Sequence, residues 1–133
     1  MKILAVDDDI YILEIYREIL KKAGFDLETA EDAMSAVTKF AAFKPDLVLL
    51  DVDLPAGGGK KFFERVRQTF MSKVPIIFCT ASPNSIAEEA KAPCCSLIKK
   101  PFTSELLLAE IKKCLEKGGN ETPPPPPPPP PKS

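Results

Sequence analysis

Pro45-Asp-Leu-Val-Leu-Leu-Asp51 is the stretch on which the fold turns. A proline opens it, an unbroken apolar run follows, and an acid stops it. Such a run, bounded on both sides, reads as a strand buried on both faces, the signature of a parallel sheet. Lys2-Ile-Leu-Ala-Val6 is a second run of this kind, halted by Asp7, Asp8 and Asp9. Pro75-Ile-Ile-Phe-Cys79, closed by Thr80, is a third. Weaker strands are expected around Asp26 to Thr29 and over Ser96-Leu-Ile-Lys99.

Helical patterns fill the intervals. Ile12, Ile15, Tyr16 and Ile19 recur at i, i+3, i+4 and i+7 with charged residues between them, and Ala23-Gly24 supplies a C-cap. A second helix is expected from Asp32 to Phe43, with Val37 and Phe40 facing inward. Pro55, Gly57, Gly58 and Gly59 read as a flexible loop before a third helix from Lys60 to Thr69, apolar at Phe62, Phe63 and Val66. A short helix is expected between Ser82 and Ala92. Thr103 caps a last one that runs to about Lys117, carries Leu106, Leu107, Ile111 and Leu115, and stops at Gly118-Gly119. Strand and helix alternate five times, which predicts an α/β parallel sheet with helices on both faces.

The chain has 133 residues, the size of one ordinary domain, with 44% hydrophobic and 28% charged residues. A net charge of -1 does not point to nucleic acid or an anionic membrane as the main partner. No apolar run approaches the roughly 20 residues that cross a bilayer, and Met1 to Leu4 leads into Asp7 without room for a signal peptide. A cytoplasmic protein is expected. Cys79, Cys94, Cys95 and Cys114 show neither CxxC nor zinc spacing and read as free thiols. Histidine is absent, which excludes Ser-His or Cys-His nucleophile pairs, histidine metal sites and a phosphohistidine carrier.

In doubly wound sheets, ligands sit beyond the carboxyl ends of the strands. That selects Asp7, Asp8 and Asp9 after the first strand, Asp51 after the third, Thr80 after the fourth and Lys100 after the fifth. Carboxylates converging at one edge repel one another unless positive charge sits among them. A hard divalent cation such as Mg2+ meets that need, and Lys100 adds an ammonium. With the Thr80 hydroxyl, this set suits phosphoryl transfer to a carboxylate. Singly, each residue has an ordinary reading: Asp9 as a helix cap, Asp51 as a turn, Lys100 as a surface charge. Their common place at successive strand ends sets them apart.

From Met1 to about Lys117 the chain resembles the receiver domains of response regulators. The resemblance rests on Ile3-Leu-Ala-Val-Asp-Asp-Asp9, Pro45 to Asp51, Leu54-Pro55, Gly59, Pro75-Ile-Ile-Phe-Cys-Thr-Ala81 and Lys100-Pro-Phe102. It implies a flavodoxin-like (βα)5 fold with strand order 2-1-3-4-5. It implies further that Asp51 is the phosphoacceptor and that Asp7 and Asp8 hold Mg2+, Asp8 directly and Asp7 through water. The backbone carbonyl of Asp53 completes the metal site in this scheme, Thr80 is the switch hydroxyl, Lys100 pairs with the phosphoryl group, and Pro101 is often cis. The implied partners are a sensor histidine kinase or phosphotransfer protein upstream, with acetyl phosphate as a small-molecule donor. Downstream they are a protein target or a C-terminal output domain beyond this sequence, with no direct binding of nucleic acid or membrane.

Two positions depart from the pattern. Leu97 stands where receivers carry Tyr or Phe, and Ala92-Pro-Cys-Cys95 replaces the usual Ala-Gly-Ala-like turn. Residues 1–118 are read as the receiver and 119–133 as a tail. That tail contains nine consecutive prolines, Pro123 to Pro131, a stiff rod about 28 Å long that serves as spacer or as ligand for an aromatic-lined groove. Three other readings compete with this one: a receiver that signals by binding alone, a flavin binder of the same fold class, and a haloacid-dehalogenase-type phosphatase suggested by Asp51-Val-Asp-Leu54. Asp7 to Asp9 would repel a flavin phosphate, and the phosphatase family places its motif after the first strand.

Overall fold

The computed structural model describes residues 1–54, 58–81 and 95–118, with side chains to 116. The expected helix at 82–92, Cys94, Pro55, Gly57 and the proline tail lie outside the described residues. Five parallel strands run in the order β2-β1-β3-β4-β5. They are β1 (Lys2–Val6), β2 (Asp26–Ala30), β3 (Leu47–Asp51), β4 (Ile76–Thr80) and β5 (Cys95–Lys99). The helices are α1 (Ile10–Lys22), α2 (Ala33–Phe43), α3 (Gly58–Glu64) and α4 (Ser104–Gly118). After α3 the chain widens into a π-type turn over Arg65–Thr69.

Strand pleating divides the core in two. Leu4, Val6, Val48, Leu50, Ile76 and Phe78 face α2, α3 and the turn that follows α3, where Ala36, Phe40, Phe62 and Val66 meet them. Ile3, Ala5, Leu47, Leu49, Ile77 and Cys79 face α1 and α4, packed on Leu13, Tyr16, Leu20, Leu107 and Ile111. Each large apolar side chain so enclosed contributes on the order of 1.5–3 kcal/mol. Every residue of β1 from Ile3, and all of β3 and β4, is buried. The central strands therefore carry apolar residues without alternation, as expected from their sequence.

Two expectations need correction. In α1 the buried residues are Leu13, Tyr16 and Leu20, while Ile15 is exposed and Ile12 and Ile19 are only partly covered. Apolar residues occupy more than half the circumference of this helix, so periodicity established a helix but not its rotation. The Asp9 cap, which accepts the Tyr11 N–H at 2.9 Å, is where the chain enters it. In α4, likewise, Leu107 and Ile111 are buried but Leu106 is exposed.

The second correction concerns Gly58 and Gly59, which open α3 and are buried instead of forming a loop. A Cβ on Gly59 would lie 2.7 Å from both the Asp51 carbonyl oxygen and Val52 Cα. One on Gly58 would lie 3.2 Å from Leu54 Cβ and 3.3 Å from Ala33 Cβ. These glycines permit close packing of α3 against the turn that leaves β3. Gly59→Ala is accordingly expected to destabilise the fold by about 2 kcal/mol, read as a lower urea midpoint at unchanged slope. A loss below about 0.5 kcal/mol, the range of ordinary surface changes, would mean the contact is not tight in solution.

Candidate functional site

The register places the acids. Ile3 pairs with Leu47 and Val6 with Leu50, so Asp7 and Asp51 stand side by side one step past the last paired residues. Both are nearly inaccessible, at 1% and 4% exposure. The same local device aims each carboxylate. Asp7 Oδ1 accepts the N–H of Asp9 at 2.9 Å, and Asp51 Oδ1 accepts the N–H of Asp53 at 3.0 Å. An aspartate that ends a strand and bonds the amide two residues on turns the chain over the sheet edge and fixes its own side chain. Asp8, between them in sequence, is exposed. Oxygens of Asp7, Asp8 and Asp51 all lie within 4.8 Å of one another.

Lys100 reaches this cluster from the end of β5, where its N–H bonds the Thr80 carbonyl at 2.8 Å and a cis peptide joins it to Pro101. Its Nζ lies 2.7 Å from Asp7 Oδ2 and 3.6 Å from Asp51 Oδ1. Thr80, fully buried, donates its hydroxyl to Asp53 Oδ2 at 2.9 Å. All the singled-out charged residues except Asp9 therefore converge on one edge; Asp9 serves as the cap of α1.

Beneath the cluster, Tyr16 hydrogen-bonds Cys79 and stacks on Phe102, with ring centroids 5.7 Å apart and planes 2° from parallel. Burial pushes the Tyr16 phenol up and the Cys79 thiol up to about 12, so both stay neutral under the acids. Sequence reasoning gave Asp53 only a backbone role and Tyr16 only a core one. The Asp-x-Asp spacing carries a signal for the former; nothing local carries one for the latter.

Burial raises the Asp51 carboxyl above the ordinary aspartate range, to about 6. The Asp53 N–H and Lys100 oppose this, while the charges of Asp7 and Asp53 add to it. For Lys100, burial works against the ammonium, but the hydrogen bond and charge of Asp7 and the charge of Asp51 outweigh it, and its pKa rises. The donor set is entirely oxygen, as hard divalent cations require. One oxygen from each of Asp7, Asp8 and Asp51 is close enough to the others for a single hard cation to be shared among them. Asp7, Asp8 and Asp51 therefore fit such an ion.

Clustered acids, a buried hydroxyl and a lysine thus meet at the carboxyl ends of the strands, where doubly wound parallel sheets bind their ligands. The chain belongs to the response regulator receiver domain family, whose profile matches residues 3–112. It is therefore a receiver domain of two-component systems. It is 36% identical over 124 residues to the transcriptional regulatory protein CpxR homolog of Haemophilus influenzae, covering 90% of this chain and 52% of that one. It is 34% identical over 122 residues to the transcriptional regulatory protein CseB of Streptomyces coelicolor, covering 89% and 50%. The chain thus spans about half the length of these relatives. Among solved structures, the chemotaxis response regulator CheY4 of Vibrio cholerae superposes with a TM-score of 0.75 at 34% identity, covering 85% and 97% of the two chains. A CheY-like receiver domain protein from Methanospirillum hungatei does so with 0.80 at 30% identity, covering 90% and 97%. Receiver domains bind Mg2+ at an acidic pocket, and the cluster here is of that kind.

The raised Asp51 carboxyl makes stability depend on pH. Unfolded aspartate titrates near 3.9, so between about 4 and 6 the folded state binds more protons than the unfolded one. Stability falls as pH rises through that window, and the charge of Asp51 opposes folding above it. Asp51→Asn should therefore stabilise the protein by about 2 kcal/mol at pH 7.5 in metal-free buffer and by little at pH 4. Urea unfolding of both proteins at the two pH values measures this. An equal effect at both would remove Asp51 ionisation as the cause.

Proposed function

We propose that this receiver accepts a phosphoryl group on Asp51 and uses the product to switch its interaction surface. The observation that carries the reading is the placement of Asp51, buried at the end of β3, beside the acids Asp7 and Asp8 and the ammonium of Lys100. In this reading a carboxylate oxygen of Asp51 attacks the phosphorus of the donor. The bond from phosphorus to the leaving imidazole nitrogen, or to the carboxylate oxygen of acetyl phosphate, breaks with its electron pair going to the leaving group. Lys100 follows the developing negative charge from Asp7 and Asp51 onto one phosphoryl oxygen, and Thr80 donates to another.

Asp7, Asp8, Asp51 and the backbone carbonyl of Asp53 would hold Mg2+, which would supply further charge neutralisation on the phosphoryl oxygens. Water later hydrolyses the acyl phosphate, so the protein modifies itself and turns over no other substrate. The phosphoryl donor is a sensor histidine kinase or phosphotransfer protein, in the cytoplasm. Downstream stands a protein target or an output domain joined after residue 118, and residues 119–133 are the tail that leads there. The matched relatives are named transcriptional regulators, and this chain aligns with about half of each. Leu97 is half-buried, packed on the α2 and α3 side of the sheet. A switch that moves Thr80 here therefore repacks an aliphatic side chain, with no ring to rotate.

Incubation with acetyl phosphate and Mg2+ should add about 80 Da to the wild-type mass and nothing to Asp51→Asn. A gain in both proteins would place the acceptor elsewhere. A gain in neither, with no binding of beryllofluoride and Mg2+, would leave a receiver that signals by binding alone.

A further inference from the structure

Asp53 touches both halves of the site. Its backbone N–H holds Asp51 Oδ1 at 3.0 Å, and its side-chain Oδ2 accepts the Thr80 hydroxyl at 2.9 Å. Thr80 is fully buried at the end of β4, while Asp53 is exposed at the turn after β3. A hydroxyl has a single proton to donate, and donation to a carboxylate is about twice as strong as donation to a neutral acceptor. A phosphoryl group on Asp51 can receive that proton only if Asp53 releases it.

We propose that the Asp53 side chain is a positioning residue that holds the Thr80 hydroxyl in the unmodified protein and competes with the phosphoryl group for it. The second half of this statement rests on the phosphoacceptor reading of Asp51; the first does not. Asp53 thus has two separable parts, a backbone that holds Asp51 and, in the proposed reading, offers its carbonyl to the metal ion, and a side chain that sets how far modification draws Thr80 over. Replacing the side chain leaves the carbonyl in place. The exposure of Asp53 lets its carboxylate swing into water once Thr80 departs, so release exchanges one charge-assisted hydrogen bond for hydration.

A rival explanation of any Asp53 effect is that its charge repels the incoming anion. Two measurements separate the ideas. In the unmodified protein, three-bond couplings to the Thr80 methyl carbon should report a single χ1 rotamer in the wild type and averaged rotamers in Asp53→Ala. Unchanged couplings would overturn the hold on Thr80, whatever Asp51 does.

Calorimetric titration with beryllofluoride and Mg2+ tests the competition. Asp53→Ala should bind this mimic about tenfold more tightly than the wild type. In the Thr80→Val background the same change should alter affinity less than about twofold. Equal tightening in both backgrounds would assign the effect to charge repulsion and overturn the competition. Thr80→Ala replaces the valine variant if that one does not fold. If no variant binds the mimic, the phosphoacceptor reading and the competition fall together, while the couplings still decide the hold.

Discussion

Two carboxylates, set side by side by the parallel register of β1 and β3, are held where water barely reaches them. Asp7 and Asp51 repel each other there, and burial, with the charges of Asp7 and Asp53 adding to it, raises the Asp51 carboxyl to about 6. The ammonium of Lys100, between them at 2.7 and 3.6 Å, is what makes the arrangement tolerable. Much else in the molecule serves to deliver these groups. β5 adds to β4 so that Lys100 arrives next to Thr80, and the buried residues of β1, β3 and β4 hold the strand ends in line. A fold arranged to bring like charges together stores instability at one edge, which a cation at that edge can relieve.

Side-chain to backbone hydrogen bonds give this edge its precision. Asp7, Asp9 and Asp51 each accept the amide two residues further on, so the acids that shape the site also shape the turns that carry them. Behind the β3 turn, Gly59 packs so closely on Asp51 and Val52 that a Cβ there would meet their backbone at 2.7 Å. On the opposite face, Tyr16, Cys79 and Phe102 form a neutral support directly under the charged groups. The site is thus rigid beneath and behind. Thr80 is itself fully buried, but its hydroxyl bonds the carboxylate of the exposed Asp53.

The sequence by itself determined the fold class and most of the candidate site. Apolar runs ended by acids specify buried parallel strands through hydrophobic burial, and the strand-end rule then gathers Asp7, Asp8, Asp51, Thr80 and Lys100. What the tertiary structure decided was orientation. α1 is apolar over so much of its surface that only docking on the sheet selected Leu13, Tyr16 and Leu20 over Ile12, Ile15 and Ile19. Gly58 and Gly59 looked like flexibility and proved to be close packing, because the approach of α3 to Val52 is a distance between segments that no local pattern encodes. The hydrogen bond from Thr80 to Asp53 joins residues 27 positions apart in sequence. Local chemistry names the groups that can meet, but their pairing depends on strand register and on which side-chain rotamers the packed neighbours leave open.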